Sequence, residues 1–255
     1  MKHSIIYIPV SSPVCDFTAA ALQERGLSVT DRPAPDVTHL LLPVPSFESN
    51  GRVRGGLILE HLLGELPDSV TVIGGNLNHP ILNSFTKLDL LQDPLYLAEN
   101  AAITADCAMR IAASKLPTVF QSCPILVIGW GRIGKCLSAL LQSMGADVTV
   151  AARKDTDRAM LRALRYRADS IESIRNSLSR YRVIFNTVPS MILNEDTMTQ
   201  CRRDSICIDL ASSPGLEGSG VITARGLPGK DTPEASGLLI AKTIIRLIKE
   251  GGHSS

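Results

Sequence analysis

Ile125 to Cys136 reads ILVIGWGRIGKC, and two patterns fit it. As G-x-G-x-x-G it places Gly129, Gly131 and Gly134 in a dinucleotide-binding turn; as G-x-x-x-x-G-K it is one residue type short of a nucleoside-triphosphate P-loop. The P-loop needs a hydroxyl at its last position to hold magnesium, and Cys136 offers a soft thiol instead. SICID, Ser205 to Asp209, could stand as the acidic strand of a P-loop protein, yet apolar strands ending in Asp are common. The dinucleotide pattern accounts for more residues. In it Gly129 makes the tight turn, Gly131 lets backbone reach a pyrophosphate, and Gly134 lets the following helix pack on the strand, with the helix N-terminus aimed at the anion.

The surroundings fit this pattern. An apolar strand precedes the turn, an amphipathic helix KCLSALLQSMG follows it, and DVTVAAR then reads as a second strand. An acidic residue about 20 positions on would hold the ribose hydroxyls of NAD. Here Arg153 stands 19 residues after Gly134, followed by Lys154. A carboxylate there would repel a 2′-phosphate, whereas a guanidinium forks onto it, so NADP is favoured over NAD. The plain alternative for Arg153 is a solvated loop charge.

Farther out, PILVIG, ADVTVAAR, YRVIFNTV, DSICIDLA and SGVITARG read as five strands with helices after the first two. Upstream, SIIYIPV, THLLLPV and VTVIGG alternate with the helical FTAAALQERG and LILEHLLGEL, which implies βαβ units and a parallel sheet. Between the two sets, Asp93 and Pro94 open a helix that runs to about Leu116. The reading is therefore α/β with two open parallel-sheet domains. Residues 1–92 form a flavodoxin-like or Rossmann-like substrate domain, 93–116 the linking helix, and 117–231 a Rossmann NAD(P)-binding domain. Residues 232–255 form a returning helix, TPEASGLLIAKTIIRLIKE, and a frayed tail carrying His253.

Composition narrows the partners. The 255 residues are 44% hydrophobic with a net charge of +1, enough for one large or two small cores. Aromatics are only 4% and no basic stripe is visible, which argues against nucleic acid. The opening apolar run is broken by Pro9 and Pro13, so neither a signal peptide nor a membrane span is expected, and the protein is read as cytoplasmic. The six cysteines include no C-x-x-C pair and no histidine cluster, so no metal site or disulfide framework is expected.

IFNTVPSMIL (184–193), IDLASSPG (208–215) and GLPGKDTPEASG (226–237), lying behind VIGWGRIG, resemble the NADP-binding half of the dipicolinate synthase A family. LLLPV, VIGG and ENAAITADCAM fit the family's first domain and linking helix more loosely. The resemblance implies a cleft between a small α/β domain and a Rossmann domain. It implies oxidation of a dihydropyridine dicarboxylate to dipicolinate, the pyridine dicarboxylate of bacterial spores, with NADP as acceptor. It also implies a partner, the second and flavoprotein-like subunit of dipicolinate synthase. Aromatisation drives such a reaction, so a strongly activated acid–base pair is less necessary than in ketone reduction. Two departures stand out: the family's A-S-R-P-G-G is here Ala211-Ser212-Ser213-Pro214-Gly215-Leu216, and its glycine-rich first turn is here PVSSPVCD. The 2-hydroxyacid dehydrogenases, similar in architecture, carry Arg and His where this chain has ASSPG and Glu234.

The candidate cofactor contacts are Gly129, Trp130, Gly131, Arg132, Ile133, Arg153, Lys154, Asn186, Thr187, Val188, Pro189, Asp209 and Ser212. Asn186 to Pro189 follow a strand expected to end at the nicotinamide ribose, and Asp209 and Ser212 end the next strand. Ordinary turn chemistry is the alternative for all six. Candidate substrate contacts are Asn76, Asn100, Gly229 and Lys230, with Gly74, Gly75 and His79 around the first of them. Each has a plain alternative as a surface or turn residue, and His61 reads as structural. No residue is marked as the catalytic acid or base. Two other functions stay open: a catalytically inactive NADP-binding accessory or regulatory subunit, and a dehydrogenase for another small imino or hydroxy acid. Self-association into a homo-oligomer also stays open.

Overall fold

The computed structural model describes residues 4–251, so His253 and its neighbours in the tail lie outside the described residues. The chain divides into two compact units, one built from its beginning up to Asn100 together with the segment from Thr232 onward, the other from Ala101–Asp231. The division therefore falls inside the long helix foreseen between the domains, and the terminal helix belongs with the first unit.

The first unit carries β1 (Ile5–Tyr7), α1 (Pro13–Glu24), β2 (Ser28–Thr30), β3 (His39–Leu41), α2 (Leu59–Gly64), β4 (Thr71–Gly74) and β5 (Lys87–Asp89). All of its strands are parallel, in the order β2-β1-β3-β4-β5. Leu40, Leu42, Val72, Leu59 and Leu82 are buried together on the sheet, which is why β3 and β4 read as nearly continuous apolar runs. α1 starts earlier than the apolar pattern alone suggests. Ser12 Oγ accepts from the Cys15 N–H at 3.2 Å and Pro13 occupies the first turn, together fixing the helix start.

α3 (Pro94–Lys115) begins where Asp93 Oδ1 accepts the Tyr96 N–H at 2.7 Å. The second unit adds β6 (Pro124–Ile128), α4 (Arg132–Ser143), β7 (Asp147–Ala151), α5 (Asp155–Ala163), β8 (Arg167–Asp169), β9 (Val183–Asn186), the one-turn α6 (Glu195–Met198), β10 (Ile206–Asp209), β11 (Val221–Thr223) and the short α7 (Leu227–Asp231). Its six strands are parallel in the order β11-β10-β9-β6-β7-β8, with the reversal of winding between β6 and β9. That is the doubly wound Rossmann order, whose ligands bind beyond the carboxyl ends of the strands at the reversal. Val127, Val150, Phe185 and Ile208 face one core, and Leu126, Ile128, Ile184 and Leu193 face the other.

α8 (Pro233–Gly251) packs along α1 within the first unit. Thr18 Oγ1 donates to the Gly237 carbonyl at 3.3 Å, and a Cβ on Gly237 would lie 2.7 Å from Phe17 Cβ and 2.8 Å from the Val14 carbonyl oxygen. Backbone meets backbone there, so only glycine permits the approach. Ion pairs Lys242–Glu99 and Arg246–Asp93, both at 2.7 Å, hold the rest of the helix against the beginning of α3 and the residue before it. Gly237→Ala is therefore expected to cost about 1–3 kcal/mol by overpacking. Urea unfolding of that variant should show an earlier transition, while ligand binding to the second unit stays as in the parent.

Candidate functional site

Three glycines decide what the turn after β6 can hold, and they differ sharply. Gly129 sits at φ +106° in the left-handed region, and a Cβ there would meet Thr187 Oγ1 at 2.4 Å. A Cβ on Gly134 would lie 2.2 Å from the Gly129 carbonyl oxygen, so its absence lets α4 close on the turn. Nothing lies within 4 Å of a Cβ built on Gly131. The turn thus has two positions closed by its own backbone and side chains, and one open at the helix start.

That helix start is uncapped. Gly131 is the N-cap of α4 and makes no side-chain cap hydrogen bond, leaving the first-turn N–H groups of Arg132 and Ile133 oriented for an anion. The turn itself is pinned from behind: the Gly129 N–H donates to Ala151 O, and both the N–H and Oγ1 of Thr187 donate to Ile128 O, each at 2.9 Å. Gly131 and Arg132 are exposed, while Trp130 is half-buried with its ring 5.7 Å from Tyr166 in an edge contact. The indole therefore packs into the fold. Lys135 Nζ lies 5.8 Å from the Trp130 ring centroid. In the P-loop pattern that amine would serve phosphates, so its position favours the dinucleotide pattern.

Arg153 and Lys154 follow β7 and are both exposed. Beneath them lies Arg158, which no motif singled out. Its Nη1 donates to the carbonyls of Ala152 and Arg153 at 2.8 Å each, and its Nη2 pairs with Asp155. The guanidinium of Arg158 shapes the turn that presents these two exposed cations. A basic residue one turn into the helix after the second strand was the only available signal.

Asn186 and Asp209 are brought together, but as a buried pair. Asn186 Nδ2 donates to Asp209 Oδ1 at 2.8 Å and to Val188 O at 3.0 Å, and Asn186 Oδ1 accepts the Val188 N–H at 3.1 Å. Asp209 also accepts the N–H groups of Ala211 (3.2 Å), Gly215 (2.8 Å) and Leu216 (3.4 Å). Both side chains are sealed from solvent, at 0% and 2% exposure. Their polar atoms shape the loops after β9 and β10, and those loops leave Pro189, Ser212 and Ser213 exposed and Thr187 and Val188 half-buried.

Gly229 and Lys230 lie exposed on α7, and Asn100 is half-buried on α3. In the first unit, Asn76 has φ +57° and its N–H donates to Asp89 Oδ1 at 3.0 Å. Gly74 and Gly75 are closed by Ser46, Leu77, Val44 and Leu91, and His79 lies 5.2 Å from the Phe47 ring. His61 is exposed on α2. The same unit contains a cavity of about 620 Å³ at the ends of β1 and β2, which Ser11, Asp16, Thr30 and Asp31 help to line, and none of the foreseen substrate residues borders it. Burial pushes the thiol of Cys15 in its wall upward, so that thiol stays neutral. Among the described residues there is no cluster of three or more His, Cys, Asp or Glu side chains fit for a metal, and no helix long and apolar enough to cross a membrane.

No protein-family model matches the chain. Dipicolinate synthase A of Bacillus subtilis (strain 168) is 22% identical over 242 residues, spanning 88% of this chain and 82% of that protein. The chain resembles dipicolinate synthase A. The crystal structure of dipicolinate synthase A from Bacillus halodurans superposes with a TM-score of 0.84 at 20% identity, covering 96% of this chain and 98% of that one. A transhydrogenase from Sinorhizobium meliloti follows at a TM-score of 0.71 and 12% identity, covering 97% and 94%. L-alanine dehydrogenase and the D-lactate dehydrogenase of Escherichia coli share the fold as well. The chain thus shares its fold with dipicolinate synthase A and with several dehydrogenases.

Proposed function

We propose that the protein is a cytoplasmic NADP-dependent oxidoreductase of the dipicolinate synthase A kind, which oxidises dihydrodipicolinate or a similar small cyclic dicarboxylate. The observation that carries this reading is the open Gly131 position, flanked by two closed glycines at the uncapped start of α4. The likeness of the whole chain to dipicolinate synthase A adds the substrate class. A second, flavoprotein-like subunit is the partner that this reading entails.

The residues fit such a cofactor. The N–H groups at the start of α4 would hold the pyrophosphate, and Arg153 and Lys154, set by Arg158, would hold the 2′-phosphate. Thr187, Val188 and Pro189 would border the nicotinamide ribose, with Asn186 and Asp209 acting behind them as positioning residues. A nicotinamide held there would supply the hydride acceptor for the ring carbon of the substrate. A proton leaves the substrate as well, and the ring gains aromatic stability, so the protein's task is to orient the ring and exclude water.

Titration with NADPH and NADH, followed by nicotinamide fluorescence, tests the cofactor half of the reading. NADPH should bind far more tightly. Arg153→Ala should lower NADPH affinity about 10- to 100-fold, the scale of a charge-assisted contact worth about 1.4–2.8 kcal/mol, and leave NADH affinity unchanged. Equal loss for both nucleotides would remove Arg153 from the 2′-phosphate. The reaction is tested by NADPH formation from freshly generated dihydrodipicolinate, with and without the partner subunit. Ser213, in a loop where a substrate-pairing cation would stand, favours one second reading: an NADP-binding accessory protein without catalysis. Tight NADPH binding with no turnover on any cyclic imine or dihydropyridine acid would establish that reading in place of the first.

A further inference from the structure

The loop after β10 carries Ser212 and Ser213 and no cation of its own, yet a cation reaches it from the neighbouring strand. Arg225 follows β11 by two residues. The Ala224 N–H before it donates to Asp209 O at 2.8 Å, which fixes the segment beside the end of β10. Gly226 after it adopts φ +65°, a left-handed turn that takes the chain away. Arg225 is half-buried, and its Nε donates to Ala211 O at 3.0 Å.

One hydrogen bond thus anchors the guanidinium, while the end bearing Nη1 and Nη2 carries none among the described residues. No carboxylate of the described residues lies within ion-pair distance of it, whereas Arg158, Arg167 and Arg182 each have an acidic partner. Its anchor is rigid, because Ala211 belongs to the loop organised by the buried Asp209 carboxylate. The position lies at the carboxyl edge of a parallel sheet, where open α/β folds bind their ligands. A planar fork held by one edge, partly desolvated and without an internal acid, is arranged for a carboxylate supplied from outside.

We propose that Arg225 is the substrate-carboxylate anchor of this protein, its Nη1–Nη2 edge clamping one carboxylate group beside Ser212 and Ser213. The inference deepens the proposed function and rests on it for the location of the reacting ring. It assigns the choice of carboxylic acid substrates to a residue outside the strand-end loop. Asp209 enters only as the group that holds the carbonyl of Ala211 in place.

The test compares the parent protein with Arg225→Gln and Arg225→Lys. Each is titrated calorimetrically with dipicolinate, 2-oxoglutarate and the uncharged pyridine-2,6-dicarboxamide, with and without NADPH. NADPH binding is read separately by fluorescence, and folding by thermal unfolding. Arg225→Gln should weaken binding of a carboxylate probe by about 30- to 100-fold, as loss of a bidentate ion pair does, and leave NADPH and diamide binding unchanged. Arg225→Lys, which keeps the charge and loses the fork, should recover only part of the loss. Full retention by Arg225→Lys would reduce Arg225 to a single-point tether of Ala211 and overturn the inference. So would equal carboxylate binding by Arg225→Gln and parent, or no carboxylate binding by the parent. Absence of NADPH binding in the parent would instead defeat the proposed cofactor, a separate result.

Discussion

Replacing Gly131 by valine is expected to eliminate measurable NADPH binding while the protein unfolds at nearly the parent temperature. The position is extended, at φ −80° and ψ −169°, and no atom lies within 4 Å of the added Cβ, so the folded chain accommodates the side chain. The cost to stability should stay under about 1 kcal/mol, the range of uncrowded exposed substitutions. The branched side chain instead fills the space in front of the helix N–H groups that a pyrophosphate must enter. Gly134→Ala should behave in the opposite way. Its Cβ would press on a backbone carbonyl, so about 1–3 kcal/mol of stability is lost through strain between turn and helix. Calorimetric unfolding and fluorescence titration of the two variants separate these effects. A Gly131→Val protein that binds NADPH as the parent does would show that the open position serves no ligand.

Asp209→Ala should be the most destabilising single change in the second unit, at about 3–5 kcal/mol, because it strips a buried anion from donors that no water can reach. The amide of Asn186 and the N–H groups of Ala211, Gly215 and Leu216 would lose their acceptor together. Asp209→Asn should recover part of the loss, since one oxygen remains to accept. Urea denaturation monitored by Trp130 fluorescence reads the change. If Asp209→Ala instead left stability intact and removed only nucleotide binding, the carboxylate would be a ligand contact and its buried network incidental.

The glycine turn was legible because its residues obey backbone sterics that survive in any context: a left-handed position and a close approach each demand glycine. The apolar strands were legible too: β4, β6, β7, β9 and β10, and the run THLLLPV around the three-residue β3, consist mostly of buried apolar residues. Three short strands were not foreseen. β2, β5 and β8 have three residues each, Ser-Val-Thr, Lys-Leu-Asp and Arg-Ala-Asp, and they lie at sheet edges, where pairing on one side needs little hydrophobic pattern. The pairing of α8 with α1 was hidden for another reason. Helical periodicity reveals which face is apolar, and says nothing of which element will cover it.

The same limit governs the candidate site. Asp209 read as a ligand contact because an acid ends an apolar strand, yet its partners lie 2, 6, 7 and 23 residues away and become visible only when the loops fold. Arg158 and Arg225 escaped notice because both are organised by backbone carbonyls, and carbonyls carry no sequence signature. Arg153 was singled out from its spacing to the turn alone, and it stands exposed after β7.

The path of the chain bears on its synthesis. The first unit is completed by α8, so its opening hundred residues leave the ribosome long before the helix that seats Gly237 against α1. The segment Ala101–Asp231 emerges whole and can close its sheet in the meantime. The first unit is thus finished last, and a chain truncated before Pro233 would retain a complete six-stranded sheet while α1 kept a naked face for chaperones to cover.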